Sequence, residues 1–168
     1  MCRGAPPAER GKNMLFVRET SIGRIAIGGD SEYVTHLYLP LNTEMLVHFD
    51  KKETPVVGEA FRQLELYLEG RLRDFSLPLK AEGTPFMKRV WEKLLEVPYG
   101  KTASYKEIAV AAGNPKAVRA VGMANARNPI AIFIPCHRII NTGGKLGGYG
   151  GGLELKQRLL DLEASNSR

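Results

Sequence analysis

The first half of the chain begins with short apolar runs that are separated by turn residues. Residues 14–17 and 22–27 are rich in the β-branched and aromatic side chains that strands favour. Turn formers within residues 20–23 interrupt the two runs, which predicts a hairpin. Residues 34–39 form a third candidate strand, so the pattern predicts a small sheet.

After these strands the apolar spacing changes to that of a helix. Within residues 57–72, apolar side chains recur at positions 57, 60, 61, 64, 68 and 72, and Gly70 lies near the end. Residues 77–83, which include Pro78 and Gly83, predict a linker. The first half is therefore predicted to be a sheet followed by one helix.

The second half is predicted to be mainly helical. Thr84 is a typical N-cap residue, followed by Pro85 at the first helical position. Residues 86–95 carry apolar side chains on two adjacent i,i+4 rows, and residues 98–100 end that helix. Residues 153–162 predict a final helix with three leucines on one face.

Between these helices, the chain predicts two short helices around a glycine-containing turn. Ser104 and Glu107 have the spacing of a capping box, and Gly113 is the left-handed stop expected after about Ala112. Asn114-Pro115 is predicted to cap the second short helix. The arrangement is typical of a helix-turn-helix, although many such helix pairs bind nothing.

Length and composition then limit the class of protein. The chain has 168 residues, with 43% hydrophobic and 25% charged residues, and a chain of this size buries about 69% of its unfolded surface. No apolar run reaches the ~20 residues of a membrane span, and the first residues lack the apolar segment of a secretory signal.

Two cysteines, Cys2 and Cys136, make no disulfide framework, which favours a reducing compartment. We therefore expect a cytoplasmic protein, or a nuclear one if the source is a eukaryote. The expected fold class is α/β (α+β), with one domain over residues 1–80 and a second over residues 81–168.

The positive charge is concentrated in one segment. Lys and Arg total 24 against 18 Asp and Glu, a formal net charge of +6. Residues 101–145 carry seven basic residues against Glu107 alone, and so account for the whole surplus. The seven are Lys101, Lys106, Lys116, Arg119, Arg127, Arg138 and Lys145. Because this segment contains the predicted helix pair, it favours a surface for nucleic-acid phosphates; the alternative is a solvated face without a partner.

Cys136-His137 is where the sequence places a nucleophile beside a possible base. A free thiol has a pKa of about 8.5, so only a few per cent is ionised at neutral pH. A nearby imidazole accepts the proton, and local positive charge favours the thiolate. Adjacent side chains of an extended strand point apart, so their contact requires a bend or a relayed water. The alternative is that Cys136 is a small core residue after the apolar run 130–134.

The spacing of the remaining polar residues predicts no metal and no cofactor. CxxC, HxxxH and HxE patterns are missing, and His36, His48 and His137 are not spaced as ligands. Residues 143–152 contain seven glycines without a phosphate-loop motif. These glycines would let the backbone approach a flat ligand closely, or would leave a flexible loop.

Taken together, the motifs of residues 84–163 resemble one known family. They are closely similar to the C-terminal domain of O6-alkylguanine-DNA alkyltransferases, also called methylated-DNA–protein-cysteine methyltransferases. The matching pieces are Phe86, Val90-Trp91, Pro98-Tyr99-Gly100, Ser104-Tyr105, residues 112–115, residues 119–122, Asn128-Pro129, residues 134–138, Gly148-Tyr149, residues 151–153 and Glu163. Pro-Cys-His-Arg after Asn-Pro at this spacing is highly specific. Residues 1–80 match only in outline, as the family's smaller N-terminal α/β domain.

The resemblance implies DNA repair by direct reversal of damage. Cys136 would take the alkyl group from O6 of guanine, with O4-methylthymine as a second expected substrate. His137, through a water, and Glu163 would relay the proton. Tyr105 would protonate the leaving base, and Asn128 would hold the active-site strands by backbone hydrogen bonds. The thioether product cannot return to the thiol, so each molecule is expected to react once.

The resemblance also implies how DNA is bound. The alkylated base would be flipped out of the duplex and replaced by Arg119, with the second short helix in the minor groove. The residues that match DNA-contacting positions are Arg119, Tyr105, Lys106, Asn114 and Thr142. The guanine pocket would be lined by the backbone of Cys136, Ile139 and Gly150 and by the ring of Tyr149.

The expected form is a monomer that acts on double-stranded DNA without a cofactor. Some members of the family hold a structural zinc in the N-terminal domain, and none is expected here because Cys2 is the only cysteine in that part. Two other functions stay open from the residues alone. One is a non-enzymatic DNA-binding or regulatory module with a structural cysteine, and the other is a Cys-His hydrolase.

Overall fold

The computed structural model describes residues 14–43 and 53–167, and it begins with a three-stranded antiparallel sheet. The strands are β1 (Met14–Thr20), β2 (Gly23–Gly29) and β3 (Val34–Tyr38). Thr20 pairs with Gly23 where β1 turns into β2, which confirms the predicted hairpin. Cys2 and His48 lie outside the described residues, and so does the expectation about zinc that depended on Cys2.

One face of the long N-terminal helix packs against this sheet. After the sheet come α1 (Pro40–Thr43) and α2 (Pro55–Leu68). Val57, Phe61 and Leu64 of α2 are fully buried, as the apolar spacing predicts. The helix starts earlier than predicted because Thr54 caps it by accepting the N–H of Val57. It also ends before residue 72, because Gly70 adopts a left-handed φ of +72°.

Strand β3 joins the two halves of the chain. Val34 pairs in parallel with Leu79, and Leu37 pairs in parallel with Ile130. The predicted linker is therefore extended along the sheet edge, and the Val34 N–H donates to the carbonyl of Pro78 at 2.8 Å. Buried apolar residues from both halves form one hydrophobic cluster, so the second half rests directly on the first.

Three short helices follow, and they include the predicted helix-turn-helix. They are α3 (Pro85–Leu95), α4 (Tyr105–Ala111) and α5 (Val118–Ala126), with α5 packed against the other two. Thr84 caps α3, as predicted. At α4 the capping box is complete, because Ser104 and Glu107 each accept the other's backbone N–H. Gly113, with a φ of +88°, follows α4 as its left-handed stop.

The predicted cap of α5 is wrong. The helix begins at Val118, with Ala117 at the N-cap position. Asn114 instead closes the preceding turn: its side chain accepts the N–H of Lys116 at 3.2 Å, and its carbonyl accepts the N–H of Ala117 at 3.0 Å. The amide oxygen therefore makes a bond within the turn, two residues ahead, rather than capping a helix.

The segment that carries Cys136 is buried along its whole length. Residues 130–139 are all buried, as the apolar run predicts. Residues Cys136–Arg138 form a 3-10 turn, after which β5 (Ile139–Ile140) pairs in parallel with β4 (Ala103–Ser104). α6 (Leu153–Asn166) extends beyond its predicted end. The fold is mixed α and β, as expected, and none of the described helices has the length and apolar character needed to cross a membrane.

Candidate active site

Two tight turns deliver Cys136 to its position. The N–H of Phe133 donates to the carbonyl two residues before it at 2.9 Å, with Ile132 between them at a φ of +71°. A left-handed φ is strained for a β-branched residue, and such strain is concentrated at functional sites. At Pro135 a second turn brings the N–H of Cys136 to the carbonyl of Ile134 at 2.8 Å. The chain thus bends immediately before Cys136.

Two buried asparagines hold the loop around Cys136. Asn128 donates from Nδ2 to the carbonyl of Ile134 at 2.9 Å and accepts the N–H of Ile130 at 3.0 Å. Asn125, from α5, donates from Nδ2 to the carbonyl of Cys136 at 3.4 Å. The backbone at the sulfur-bearing residue is therefore fixed by side chains from α5 and from the turn that follows it.

His137 is fully buried and uses one ring nitrogen in a short hydrogen bond. Its Nε2 lies 2.7 Å from Oε1 of Glu163. Because a carboxylate only accepts, Nε2 carries the proton and Nδ1 keeps its lone pair. Among the residues described, Nδ1 has no hydrogen-bond partner. Burial lowers the pKa of His137 although the Glu163 carboxylate opposes this, so the ring is neutral at pH 7 and Nδ1 can accept a proton.

Glu163 is the centre of this buried network. Besides His137, its donors are the hydroxyl of Tyr67 at 2.7 Å, Nε of Arg138 at 2.9 Å and the N–H of Gly100 at 3.1 Å. Burial acts to raise the pKa of Glu163, but the hydrogen bonds from His137 and Arg138 outweigh it and lower the pKa to about 2. The carboxylate is therefore a fixed anion that orients the imidazole ring.

Lys156 of α6 is a buried cation whose charge acts on Cys136. Nζ of Lys156 donates to the carbonyl of Ile139 at 2.5 Å and to that of Gly147 at 3.4 Å. Burial lowers the pKa of Lys156, and attraction to Cys136 opposes that shift. Because this attraction is mutual, the positive charge of Lys156 favours the thiolate form of Cys136.

Asn125, which donates to the carbonyl of Cys136, also lines a pocket of about 230 Å³. Its walls come from the start of α4, from α5 and from the glycine-rich loop, and are formed by Tyr105, Gly122, Asn125, Ala126, Gly148, Tyr149 and Gly150. A side chain at Gly147 would collide with the ring of Tyr105, so the glycine there allows the loop to close over the pocket wall.

The predicted pocket residues divide into two groups. Tyr149 and Gly150 line the pocket together with Tyr105. Ile139 is fully buried, and its carbonyl is the acceptor for Lys156. Within the described parts of the chain, no group of three or more His, Cys, Asp or Glu side chains is arranged to hold a metal ion.

The predicted DNA-contacting residues other than Tyr105 are exposed. They are Lys106 on α4, Asn114 in the turn, Arg119 in the first turn of α5, and Thr142 after β5. Thr142 lines a separate depression of about 300 Å³ together with Ser104 and Glu107. The helix pair thus presents polar and basic side chains to solvent on both of its helices.

The prediction that all seven cations of residues 101–145 form a surface for phosphates needs one correction. Six of the seven cations are exposed, whereas Arg138 is buried and paired with Glu163 at 2.9 Å. Arg138 therefore belongs to the internal network and not to a phosphate-binding surface. The exposed six are Lys101, Lys106, Lys116, Arg119, Arg127 and Lys145.

Sequence reasoning missed Tyr67, Lys156, Asn125 and the pairing of Arg138. Lys156 had a detectable pattern, because Lys156, Leu159 and Glu163 are spaced i, i+3, i+7 and so share one face of α6. Tyr67 had none, since in sequence it simply extends the apolar face of α2.

Comparison with known proteins gives matches over most of the chain. The family model described as "6-O-methylguanine DNA methyltransferase, DNA binding domain" matches residues 85–165, and the one described as "6-O-methylguanine DNA methyltransferase, ribonuclease-like domain" matches residues 17–81. The methylated-DNA–protein-cysteine methyltransferase of Methanosarcina barkeri is 50% identical over 152 residues, which cover 89% of this chain and 96% of that protein. The constitutive methylated-DNA–protein-cysteine methyltransferase of Bacillus subtilis is 43% identical over 157 residues, covering 90% and 95%.

Solved structures agree with the sequence matches. A crystal structure of Mycobacterium tuberculosis OGT in complex with DNA superposes with a TM-score of 0.83 at 43% identity, covering 90% of this chain and 93% of that one. The first half of the fold thus corresponds to the ribonuclease-like domain of this class of protein, and the second half, which carries Cys136, corresponds to its DNA-binding domain. This chain belongs to the 6-O-methylguanine DNA methyltransferase family.

Proposed function

We propose that this protein repairs DNA by moving the alkyl group of O6-alkylguanine onto its own Cys136, once and irreversibly. The observation that carries the proposal is Cys136 followed directly by a buried His137, which is neutral at pH 7 and whose Nδ1 can take a proton. Asn125, which donates to the carbonyl of Cys136, also lines the pocket that has Tyr105 and Tyr149 in its walls. Relatives that match nearly the whole chain are named methylated-DNA–protein-cysteine methyltransferases, which supports the same reaction here.

The proposed transfer is an in-line displacement at the alkyl carbon. The sulfur of Cys136 forms a bond to that carbon while the bond from the carbon to guanine O6 breaks, and the electron pair of the broken bond stays with the base. The thiol proton passes through a water to Nδ1 of His137, and Glu163 stabilises the imidazolium. Tyr105 donates a proton to the ring of the leaving guanine and then regains one from solvent, while His137 releases its proton to solvent, so that the net result moves one proton from thiol to base.

The alkylated base is proposed to occupy the pocket beside Tyr105. Tyr149 offers a ring against the base, and the backbone of Gly150, Ile139 and Cys136 offers polar groups to its edge. Asn128 keeps the loop before Cys136 in place through its two backbone hydrogen bonds. O4-methylthymine is a second proposed substrate.

Duplex DNA is proposed to lie across α4 and α5, with α5 in the minor groove. The exposed cations of residues 101–145 supply the positive potential, so binding is expected to tolerate sequence and to weaken with salt. The small side chains of Ala120 and Gly122 suit a narrow groove. Arg119 fills the place of the flipped base, and Lys106, Asn114 and Thr142 contact phosphates.

The proposal includes a cytoplasmic monomer with an N-terminal domain over residues 1–80 and an alkyl-acceptor domain over residues 81–168. The proposed state is a monomer, and the proposed transfer uses no cofactor. Since the thioether product is stable at neutral pH, each molecule is consumed by one reaction.

Duplex DNA with a labelled methyl group on guanine O6 tests the proposal. Wild-type protein is expected to take up one label per molecule, on the peptide that contains Cys136, and then to stop. The measurement is mass spectrometry of the digested protein together with the label count. Cys136→Ala and Cys136→Ser are expected to bind the same DNA and take up no label, whereas the matched control Cys2→Ala labels fully.

Other outcomes separate the remaining functions. Label on the Cys136→Ala variant would refute the assignment of the acceptor. Binding of the lesion by wild type without any adduct would indicate a DNA-binding module, and repeated turnover of an ester or amide would indicate a hydrolase.

A further inference from the structure

A tyrosine from the first half of the chain reaches the groups that handle the proton. Tyr67, in the last turn of α2, is fully buried, and its Oη lies 2.7 Å from Oε1 of Glu163 and 3.3 Å from Nε2 of His137. The same carboxylate oxygen lies 2.7 Å from Nε2 of His137. The three polar atoms therefore form a closed triangle, although Tyr67 and Glu163 are 96 residues apart in sequence.

We propose that Tyr67 is a positioning residue for alkyl transfer, whose hydroxyl fixes the His137–Glu163 pair and sets how readily His137 takes the proton of Cys136. The inference rests on the function proposed above and deepens it. It gives the N-terminal half a direct part in the reaction, through α2.

The hydroxyl acts as a donor to the carboxylate. Burial and the negative charge of Glu163 raise the pKa of Tyr67, so the phenol stays protonated and its O–H points at Oε1. The lone pairs of the hydroxyl oxygen then face the Nε2 proton of His137. Two acceptors thus share that proton, which keeps it on Nε2 and leaves Nδ1 as the basic nitrogen.

Aromatic contacts prevent the hydroxyl from moving away. The ring of Tyr67 lies 5.1 Å from that of Phe75 and packs edge-on against Tyr99 at 6.0 Å, between ring centroids. Its distance to the ring of His137 is 6.5 Å. The donor is therefore held in one orientation before any substrate arrives, which is the condition for an effect on rate.

The charges around His137 give the direction of the effect. The titratable and charged groups that face it or its carboxylate partner are Glu163 and Lys156 of α6, Arg138, Tyr67, Tyr99 and Cys136. Glu163 favours the imidazolium, whereas Arg138 and Lys156 oppose it. Tyr67 acts through Glu163, because a donor to Oε1 draws off negative charge that would otherwise stabilise the imidazolium. Without the hydroxyl, His137 becomes easier to protonate.

The test compares three proteins in single-turnover methyl transfer between about pH 5 and pH 9. Tyr67→Phe is expected to bind the methylated duplex as wild type does. The acid limb of its pH–rate profile, on which His137 becomes protonated and can no longer accept the thiol proton, is expected to move to higher pH. At a given pH on that limb, methyl transfer becomes up to about tenfold slower for each pH unit of this shift. Tyr99→Phe is the matched control. It removes a buried tyrosine hydroxyl from the same aromatic cluster, and within the described residues that hydroxyl has no hydrogen-bond partner. We expect its profile to match that of wild type.

A second variant keeps the test decisive if Tyr67→Phe folds poorly. Incorporation of 3-fluorotyrosine at position 67 retains the ring and strengthens the donor, so the acid limb is expected to move to lower pH. An unchanged limb in both variants, or an equal shift in Tyr99→Phe, overturns the role of Tyr67. If wild type transfers no methyl group at all, it is the proposed function that fails instead.

Discussion

Lys156 is a charged residue that lies buried among apolar neighbours on α6. It lies on the face of α6 that also carries the fully buried Leu159, and it is itself fully buried. A buried ammonium group is costly unless it is paired, and here two backbone carbonyls accept its hydrogen bonds. Its charge also attracts Cys136, so in the proposed transfer it would stabilise the thiolate.

Replacement of this charge by a side chain of similar length measures its contribution. Lys156→Met is expected to slow single-turnover methyl transfer by about tenfold or more, equivalent to about 1.4 kcal/mol or more of barrier, because the thiolate loses its counter-charge. The exposed Arg158→Met on the same helix is the control and is expected to transfer at the wild-type rate. Equal rates for the two variants would show that Lys156 has only a packing role.

At the scale of elements, the start of α4 controls one wall of the pocket. Tyr105 is the first residue of this helix, and the capping box of Ser104 and Glu107 fixes the residue just before it. The hydrogen bonds of the box measure 2.6 Å and 3.1 Å, and both are made by exposed groups. The position of the Tyr105 ring therefore depends on a local feature at the surface of the protein.

Removal of the cap is expected to affect stability and transfer together. Ser104→Ala should lower the free energy of unfolding by about 1 kcal/mol, measured by urea denaturation, and should also slow methyl transfer because Tyr105 loses its anchor. Thr84→Ala removes the N-cap of α3 and is expected to cost a similar amount of stability without slowing transfer. A Ser104→Ala variant that is destabilised but transfers at the wild-type rate would contradict this dependence.

The same elements show what a sequence can and cannot predict. Helices α3 and α4 were predicted with their caps because a cap depends on residues within one turn. The start of α5 was predicted wrongly because Asn114 can bond within a turn as well as cap a helix, and the pattern does not distinguish the two. The partners of Glu163 could not be predicted from local patterns, since Tyr67 reaches it only through the packing of α2 against the second half.

For the whole molecule, the buried Glu163 makes folding sensitive to acid. Its pKa in the folded protein is about 2, against an ordinary value of 4.5, so the folded state binds fewer protons than the unfolded state between these pH values. Burial also lowers the pKa of His137 from its ordinary 6.5, which acts in the same direction at higher pH. The contribution of these two groups to stability is therefore complete above about pH 6.5 and is lost progressively as the pH falls.

Denaturant unfolding at a series of pH values checks this expectation. Acidification from pH 4.5 to about pH 2 is expected to remove about 3 kcal/mol through Glu163 alone. Glu163→Gln should be less stable than wild type at pH 7, because Arg138 then lies buried without its anion, and it should lose less on acidification. Glu154→Gln, an exposed change on the same helix, is expected to follow the wild-type curve; if Glu163→Gln does so too, the acid sensitivity arises elsewhere.

The partners of Glu163 also link the proposed reactivity of Cys136 to the folding of the whole chain. The carboxylate accepts hydrogen bonds from Tyr67, Gly100, His137 and Arg138, which lie on separate parts of the chain. No single helix or hairpin contains this set, so it forms only when distant segments have docked. A chain with either half still unfolded carries Cys136 without its oriented imidazole. The proposed alkyl acceptor therefore has its oriented imidazole only in the docked native structure, and loses it on unfolding.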